Sequence, residues 1–223
     1  KAAKQPDTQT KGAKTTVARQ RKLQADIDRK DAATPSKPPK KATQAGVRKQ
    51  PVRMPAQHLD KPGEEADLIL APAFEAAGYR GSGKLEGMTA IVTGGDSGIG
   101  RAVAVLFARE GADVALLYLD EHEDAKETAR WIEKEGRTAV LFPGDVRDSG
   151  FCNRVAGKVA ERFGRIDVLV NNAGFQLHAK RLEDLTDAHL QETLQTNVAG
   201  YIHMARACLP HMARGASIVN CGS

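Results

Sequence analysis

Cysteine is scarce in this chain of 223 residues. There are three, Cys152, Cys208 and Cys221, and none belongs to a Cys-x-x-Cys pair. Scattered thiols in such small number exclude a disulfide-stapled scaffold and suit a reducing compartment, so a cytoplasmic location is expected. No apolar run approaches 18 residues, which excludes a helical membrane span. The N-terminus has no apolar core of a signal peptide. It starts with Lys rather than Met, so residues upstream are expected. Aromatics are also few, with one Trp, three Tyr and six Phe, and none of them falls in residues 1–60.

That first stretch is poor in everything that builds a core. It holds six of the ten prolines and 15 Lys+Arg against 5 Asp+Glu. Such a segment cannot bury enough apolar surface to offset the entropy of ordering it. Residues 1–60 therefore read as a disordered basic tail, in which Val17, Leu23 and Ile27 support at most a short helix. Its "KPPKKATQAGVRKQPVR" has the charge to meet a polyanion but no aromatic to stack on a base. A nucleic-acid partner is not expected except through this tail, and a solvated linker is the plainer reading. The remainder of the chain reverses the balance, with 18 basic and 23 acidic residues. Residues 61–87 mix Pro and Gly with isolated apolar anchors, Leu68, Leu70, Phe74 and Tyr79. They read as an extended arm lying on a folded domain.

From Met88 onward the pattern becomes regular. "MTAIVTG", "DVALLYL", "TAVLFPGDV", "IDVLVNNAG" and "ASIVNCGS" are short apolar runs suited to strands covered on both faces. Helical stretches stand between them, closed by Gly111, Gly136 and Gly164; the third opens on Asp148 or Ser149. The last runs from about Thr186 to Met212. Five strand–helix alternations predict an α/β domain with a doubly wound parallel sheet over residues 88–223.

The most informative segment is "TGGDSGIG", residues 93–100, at the first strand-to-helix junction. There a helix N-terminus offers unpaired N–H groups and the positive end of its dipole. Gly94 suits the tight turn, Gly98 and Gly100 let a diphosphate approach the backbone, and Ser97 adds a hydroxyl donor. A bare glycine turn is the alternative, but its place in the alternation favours a nucleotide.

Here the chain resembles the short-chain dehydrogenase/reductases, whose motif Thr-Gly-x-x-x-Gly-x-Gly is matched by Thr93, Gly94, Gly98 and Gly100. "GDV" at 144–146, "NNAG" at 171–174 and "TNVAG" around Asn197 follow in that family's order. The arm is similar to a bacterial branch with an N-terminal extension, labelled glucose/ribitol-dehydrogenase-like or general-stress oxidoreductase. The resemblance implies a Rossmann-type fold and hydride transfer between a nicotinamide, NAD or NADP, and a small alcohol or carbonyl substrate. It implies a cofactor site containing Ile99 in the glycine loop, Asp145 on the adenine with Val146 beside it, and Asn172, Ala173 and Gly174 near the ribose. Asn171 is expected to be more structural. It also implies a homo-oligomer, as a dimer or tetramer, and Asn197 and Ser223 as catalytic residues. Asp120, without an Arg or Lys beside it, favours NAD. The six histidines form no ligand cluster, so no metal is expected.

One part of the family's pattern does not appear. Its Tyr-x-x-x-Lys pair should follow Ser223, and Tyr79, Tyr118 and Tyr201 have no Lys four residues later. The expectation is a C-terminally incomplete sheet, inactive by itself, from an active enzyme. A cofactor-binding protein without catalysis is the alternative.

Overall fold

A computed structural model describes residues 11–33 and 54–222 of the chain. Five strands form one sheet in the order β3-β2-β1-β4-β5: β1 (Thr89–Thr93), β2 (Asp113–Tyr118), β3 (Ala139–Pro143), β4 (Ile166–Asn171) and β5 (Met212–Asn220). All four pairings are parallel. The doubly wound α/β sheet expected from the alternation is therefore present. Successive side chains on a strand face opposite ways, so each strand feeds two cores. Ile91, Leu117 and Leu169 pack with Phe151, Val155 and Met204 on one side. Val92, Leu116 and Val170 pack with Ala104, Ala108 and Ile132 on the other.

Helices α2 (Gly98–Arg109) and α3 (His122–Lys134) cover the second face; α4 (Ser149–Phe163) and α6 (Gly200–Cys208) cover the first. Asp148 caps α4 by accepting from the Gly150 N–H at 2.8 Å, and Gly164 ends it at φ +79. That left-handed conformation is open to glycine at little cost. The stretch expected as one helix from Thr186 to Met212 is instead interrupted: α5 (Asp187–Leu194), a π-turn over Gln195–Ala199, α6, and a 3-10 turn over Leu209–His211. Met212 then already pairs with Ile166, so β5 starts earlier than its apolar run suggests, with a register shift before Val168 meets Ser217.

Of residues 1–60, which the sequence assigns to a disordered tail, residues 11–32 form a helix instead, α1 (Lys11–Ala32). Its buried face carries Ala13, Thr16, Val17, Gln20, Leu23 and Gln24. This face is half polar, which is why no apolar stripe announced it. The basic run 37–53 and Ser223 lie outside the described residues. The arm is fixed more by polar contacts than by its apolar anchors. Phe74 meets the Trp131 ring edge-on at 5.4 Å, and the Tyr79 hydroxyl donates to Glu110, but Leu68 and Tyr79 remain exposed.

Because β1 leads outward to β2 while the chain crosses back to β4, the sheet has its switch point between β1 and β4. Open α/β sheets carry their ligand crevice at the C-terminal ends of the strands on either side of such a point.

Candidate cofactor-binding cleft

A cleft of about 350 Å³ opens at that switch point. One wall is the glycine loop after β1, with Gly94, Asp96, Ser97, Gly98 and Ile99; Asn172, Ala173 and Gly174 after β4 form the floor. Gly144, Asp145 and Val146 follow β3; Tyr118 ends β2, and Leu119 and Glu121 follow it. These residues come from four separate stretches of the chain; the ends of four neighbouring strands bring them together.

The glycines do different jobs. Gly94 sits at φ +60, and a Cβ there would press on the Ala173 backbone at 3.0 Å. At Gly100 a Cβ would overlap the Gly94 carbonyl, so the helix can pass this close only without a side chain. Gly98, at φ +51, has nothing within 4 Å of where a Cβ would stand and faces the cleft. It leaves the room a phosphate needs.

The first turn of α2 has its N–H groups aimed out of the helix. That of Gly98 is already taken by the Glu65 carboxylate at 2.5 Å. The Arg101 N–H bonds back to the Ser97 carbonyl at 3.0 Å. Ile99 and Gly100 supply the two donors between them. The Ser97 hydroxyl donates to Asp96 at 2.8 Å rather than standing free for a phosphate.

Glu65 was not anticipated. It is buried, and its other oxygen pairs with the equally buried guanidinium of Arg101. Arg101 also reaches Asp124 at 3.2 Å, the Asp96 carbonyl at 3.0 Å and the Thr128 hydroxyl at 2.9 Å. The arm is thus bolted to the glycine loop by a fully buried ionic cluster. In sequence, Asp124 looks like one more charge on the outer face of a helix.

Thr93 and the Asn-Asn-Ala-Gly loop lock β1 to β4. The Thr93 hydroxyl accepts from the Asn172 and Ala173 N–H groups, both at 2.9 Å, and the Asn172 amide donates to the Gly94 carbonyl at 3.0 Å. Asn171 binds Asn220 across the strands at 2.9 Å, in keeping with its structural reading. Asn197 lies in the π-turn, a distortion often found at functional sites. Its amide closes both ways on one residue, accepting from the Phe175 N–H at 2.7 Å and donating to the Phe175 carbonyl at 2.9 Å. Asn197, Thr93 and Gly100 shape the cleft from behind and do not line it.

Two carboxylates depart from the sequence reading. Asp120 does not line the cleft; it lies in an adjacent depression with Asp60, Gly63 and Asp67, and Glu121 takes the wall position instead. Of these two neighbours only Glu121 reaches the cleft, which strand periodicity does not reveal. Burial, reinforced by the charge of Asp96, pushes the Glu121 carboxyl up to about 7. Asp96 is raised as well, first by burial. Asp145 lines the cleft as expected, but its carboxylate is not free. It accepts from the Arg147 N–H at 2.9 Å, from the Arg147 guanidinium at 2.7 Å and from the Thr16 hydroxyl of α1. Burial alone would raise it; these bonds outweigh burial and hold it below the usual carboxylate range. Arg147 also pairs with the buried Glu192 of α5 at 2.6 Å.

Residues 88–223 match the family of short chain dehydrogenases. The chain belongs to that family. It is 47% identical over 165 residues to the uncharacterized oxidoreductase YhdF of Bacillus subtilis, covering 74% of this chain and 57% of that protein. General stress protein 39 of the same organism is 42% identical over 171 residues, covering 76% and 60%. A short chain dehydrogenase from Burkholderia cenocepacia, solved in complex with NADP, superposes with a TM-score of 0.60 at 41% identity, covering 63% of this chain and 57% of that one. The chain spans less than two thirds of the length of these relatives.

Proposed function

We propose that the cleft holds a nicotinamide dinucleotide, NAD or NADP, and that the full-length protein transfers hydride between it and a small alcohol or carbonyl compound. The observation that carries this reading is the glycine loop at the switch point, with the start of helix α2 at the cleft and a glycine, Gly98, whose missing side chain leaves a cradle. The Burkholderia neighbour solved with NADP supports the cofactor class. The Ile99 N–H group would hold the diphosphate, with Gly94 and Gly98 giving it room. Ala173 and Gly174 would leave space beside the ribose, and Val146 would line the adenine end.

A bound nicotinamide supplies the hydride donor or acceptor. The chain's own residues orient it and shape its surroundings. Asn197 acts as a positioning residue: its two bonds to Phe175 set the loop that separates this cleft from the adjoining depression lined by Phe175, Leu177 and His189. That depression is the place for the substrate. Ser223 would present its hydroxyl to the reacting oxygen, beside a Tyr and Lys supplied by the longer protein. The preference for NAD expected from Asp120 passes to Glu121, the acidic group that does line the cleft.

Leu190, Leu194, Val198 and Ile202 stand exposed at four-residue spacing along α5, the π-turn and α6. One helical stripe of this kind suits a second copy of the chain, and we assign the homo-oligomer to it. Ile202→Asp is expected to shift the particle toward a monomer in light scattering, without loss of cofactor affinity.

The test of the activity is steady-state oxidation of NADH and NADPH by the full-length protein over a panel of aldehydes and ketones. Turnover with at least one, lost in Ser223→Ala, supports the assignment; dinucleotide binding without turnover on any would reduce the protein to a cofactor-binding one.

A further inference from the structure

Helix α1 roofs one end of the cleft, and three of its polar side chains are buried along one face: Thr16, Gln20 and Gln24. Two of the three are fully engaged. Thr16 bonds Asp145 and Arg147. Gln24 accepts from the Lys61 N–H at 2.7 Å and donates to the Leu59 carbonyl at 2.8 Å. Gln20 lies between them, one helical turn from each. It is 5% exposed and lines the cleft, as do Gly144 and Asp145. Its side-chain amide makes no hydrogen bond among the described residues. Its amide is therefore left to face the cleft, where it is available to a ligand.

Asp145, meanwhile, spends its carboxylate on Arg147 and Thr16. The group expected to accept from the adenine amine is therefore occupied. The space beside it is not filled by the docked helix, because the cleft keeps about 350 Å³ with α1 in place, enough for a small ligand group. An amide side chain offers one acceptor and one donor side by side. Adenine presents the complementary pair on one edge, a 6-amino donor next to the N7 acceptor. Hypoxanthine replaces that donor by an acceptor.

We propose that Gln20, carried by α1, is the adenine-reading residue of the cleft, with Oε1 accepting from the 6-amino group and Nε2 donating to N7. This rests on the dinucleotide reading above and adds to it that the N-terminal helix forms part of the binding site.

The experiment measures binding of AMP, IMP and reduced nicotinamide mononucleotide to the full-length protein and to its Gln20→Met variant, with thermal unfolding of both in the absence of ligand. Met keeps the volume, and the amide it removes makes no hydrogen bond among the described residues, so the unliganded variant is expected to be about as stable as the parent. The parent should favour AMP over IMP by about tenfold. In Gln20→Met, AMP should weaken by about tenfold, the preference over IMP should vanish, and the mononucleotide should bind unchanged. Unaltered AMP affinity in the variant, equal parental affinity for AMP and IMP, or a parallel loss of the mononucleotide overturns the assignment while leaving the dinucleotide reading in place. If the parent binds none of the three ligands and neither NADH nor NADPH, the dinucleotide reading itself fails, and this assignment with it.

Discussion

The sheet and the N-terminal segment are stabilised by different physics. The sheet, from Thr89 on, is built of strands such as Thr89–Thr93 whose residues are all buried, and its cores are aliphatic. Its favourable energy is roughly proportional to apolar area and tolerant of which aliphatic residue supplies it. The segment before it is attached through single polar groups, Glu65 into Arg101 and Gly98 and Thr16 into Asp145, and is tied to itself by Gln24 on the backbone at 59 and 61. Each such bond works in one geometry only. The first kind of region leaves a periodic trace in sequence; the second leaves almost none. The two meet at the cleft, where the sheet supplies the floor and the N-terminal segment one side and the roof.

The comparison breaks most visibly at Arg101. Arg101→Ala leaves Glu65 and Asp124 buried without a counter-charge, which is expected to cost about 3–5 kcal/mol. Ile91→Ala in the sheet should cost about 2–5 kcal/mol through its cavity. Urea unfolding would place both losses. Limited proteolysis should separate them, since only Arg101→Ala is expected to release the arm and expose residues 54–87. Equal protease resistance of the two variants would mean that the arm is held by something other than its charges.

A smaller effect concerns Glu121. Its carboxyl is raised toward 7 in the folded chain, above its unfolded value. Stability from this group is therefore present at low pH and lost as pH rises from about 4.5 to about 7. Asp96 moves in the same direction. Glu121→Gln is expected to flatten the melting temperature over that window. The charge has a second reading, because it sits on the cleft wall. As pH rises through 7, NADPH should lose affinity relative to NADH by a few-fold, since its extra phosphate meets an ionised carboxylate at an effective dielectric well below that of water. Glu121→Gln should remove that trend, and fluorescence titrations at pH 6 and pH 8 would show whether it does.

Much of the cleft was legible because glycine chemistry and strand order are local signals. Gly94, Gly98, Asp145 and the Asn172–Gly174 loop were placed at the cleft from sequence, and they line it. Ser97 lines it too, although its hydroxyl is turned to Asp96. Thr93 and Asn197 were grouped with the site, yet serve it through backbone contacts from behind. What could not be read were partners distant in sequence. Asp120 and Glu121 are adjacent and chemically alike, and only the turn after β2 decides which one faces the cleft. Helix α1 escaped because its buried face carries Thr and Gln in place of an apolar stripe. The π-turn at Gln195–Ala199 escaped because no residue type enforces it.

The most direct measurement is fluorescence titration of the protein with NADH and NADPH, alongside the variant Gly98→Asp. Asp tolerates the left-handed backbone that Gly98 adopts, but it would set a carboxylate in the space proposed for the diphosphate. Saturable binding in the parent at roughly micromolar concentrations, weakened at least about tenfold in Gly98→Asp with the fold intact by circular dichroism, is the predicted result. Absence of saturable binding for both dinucleotides, or equal affinity in parent and variant, would contradict it.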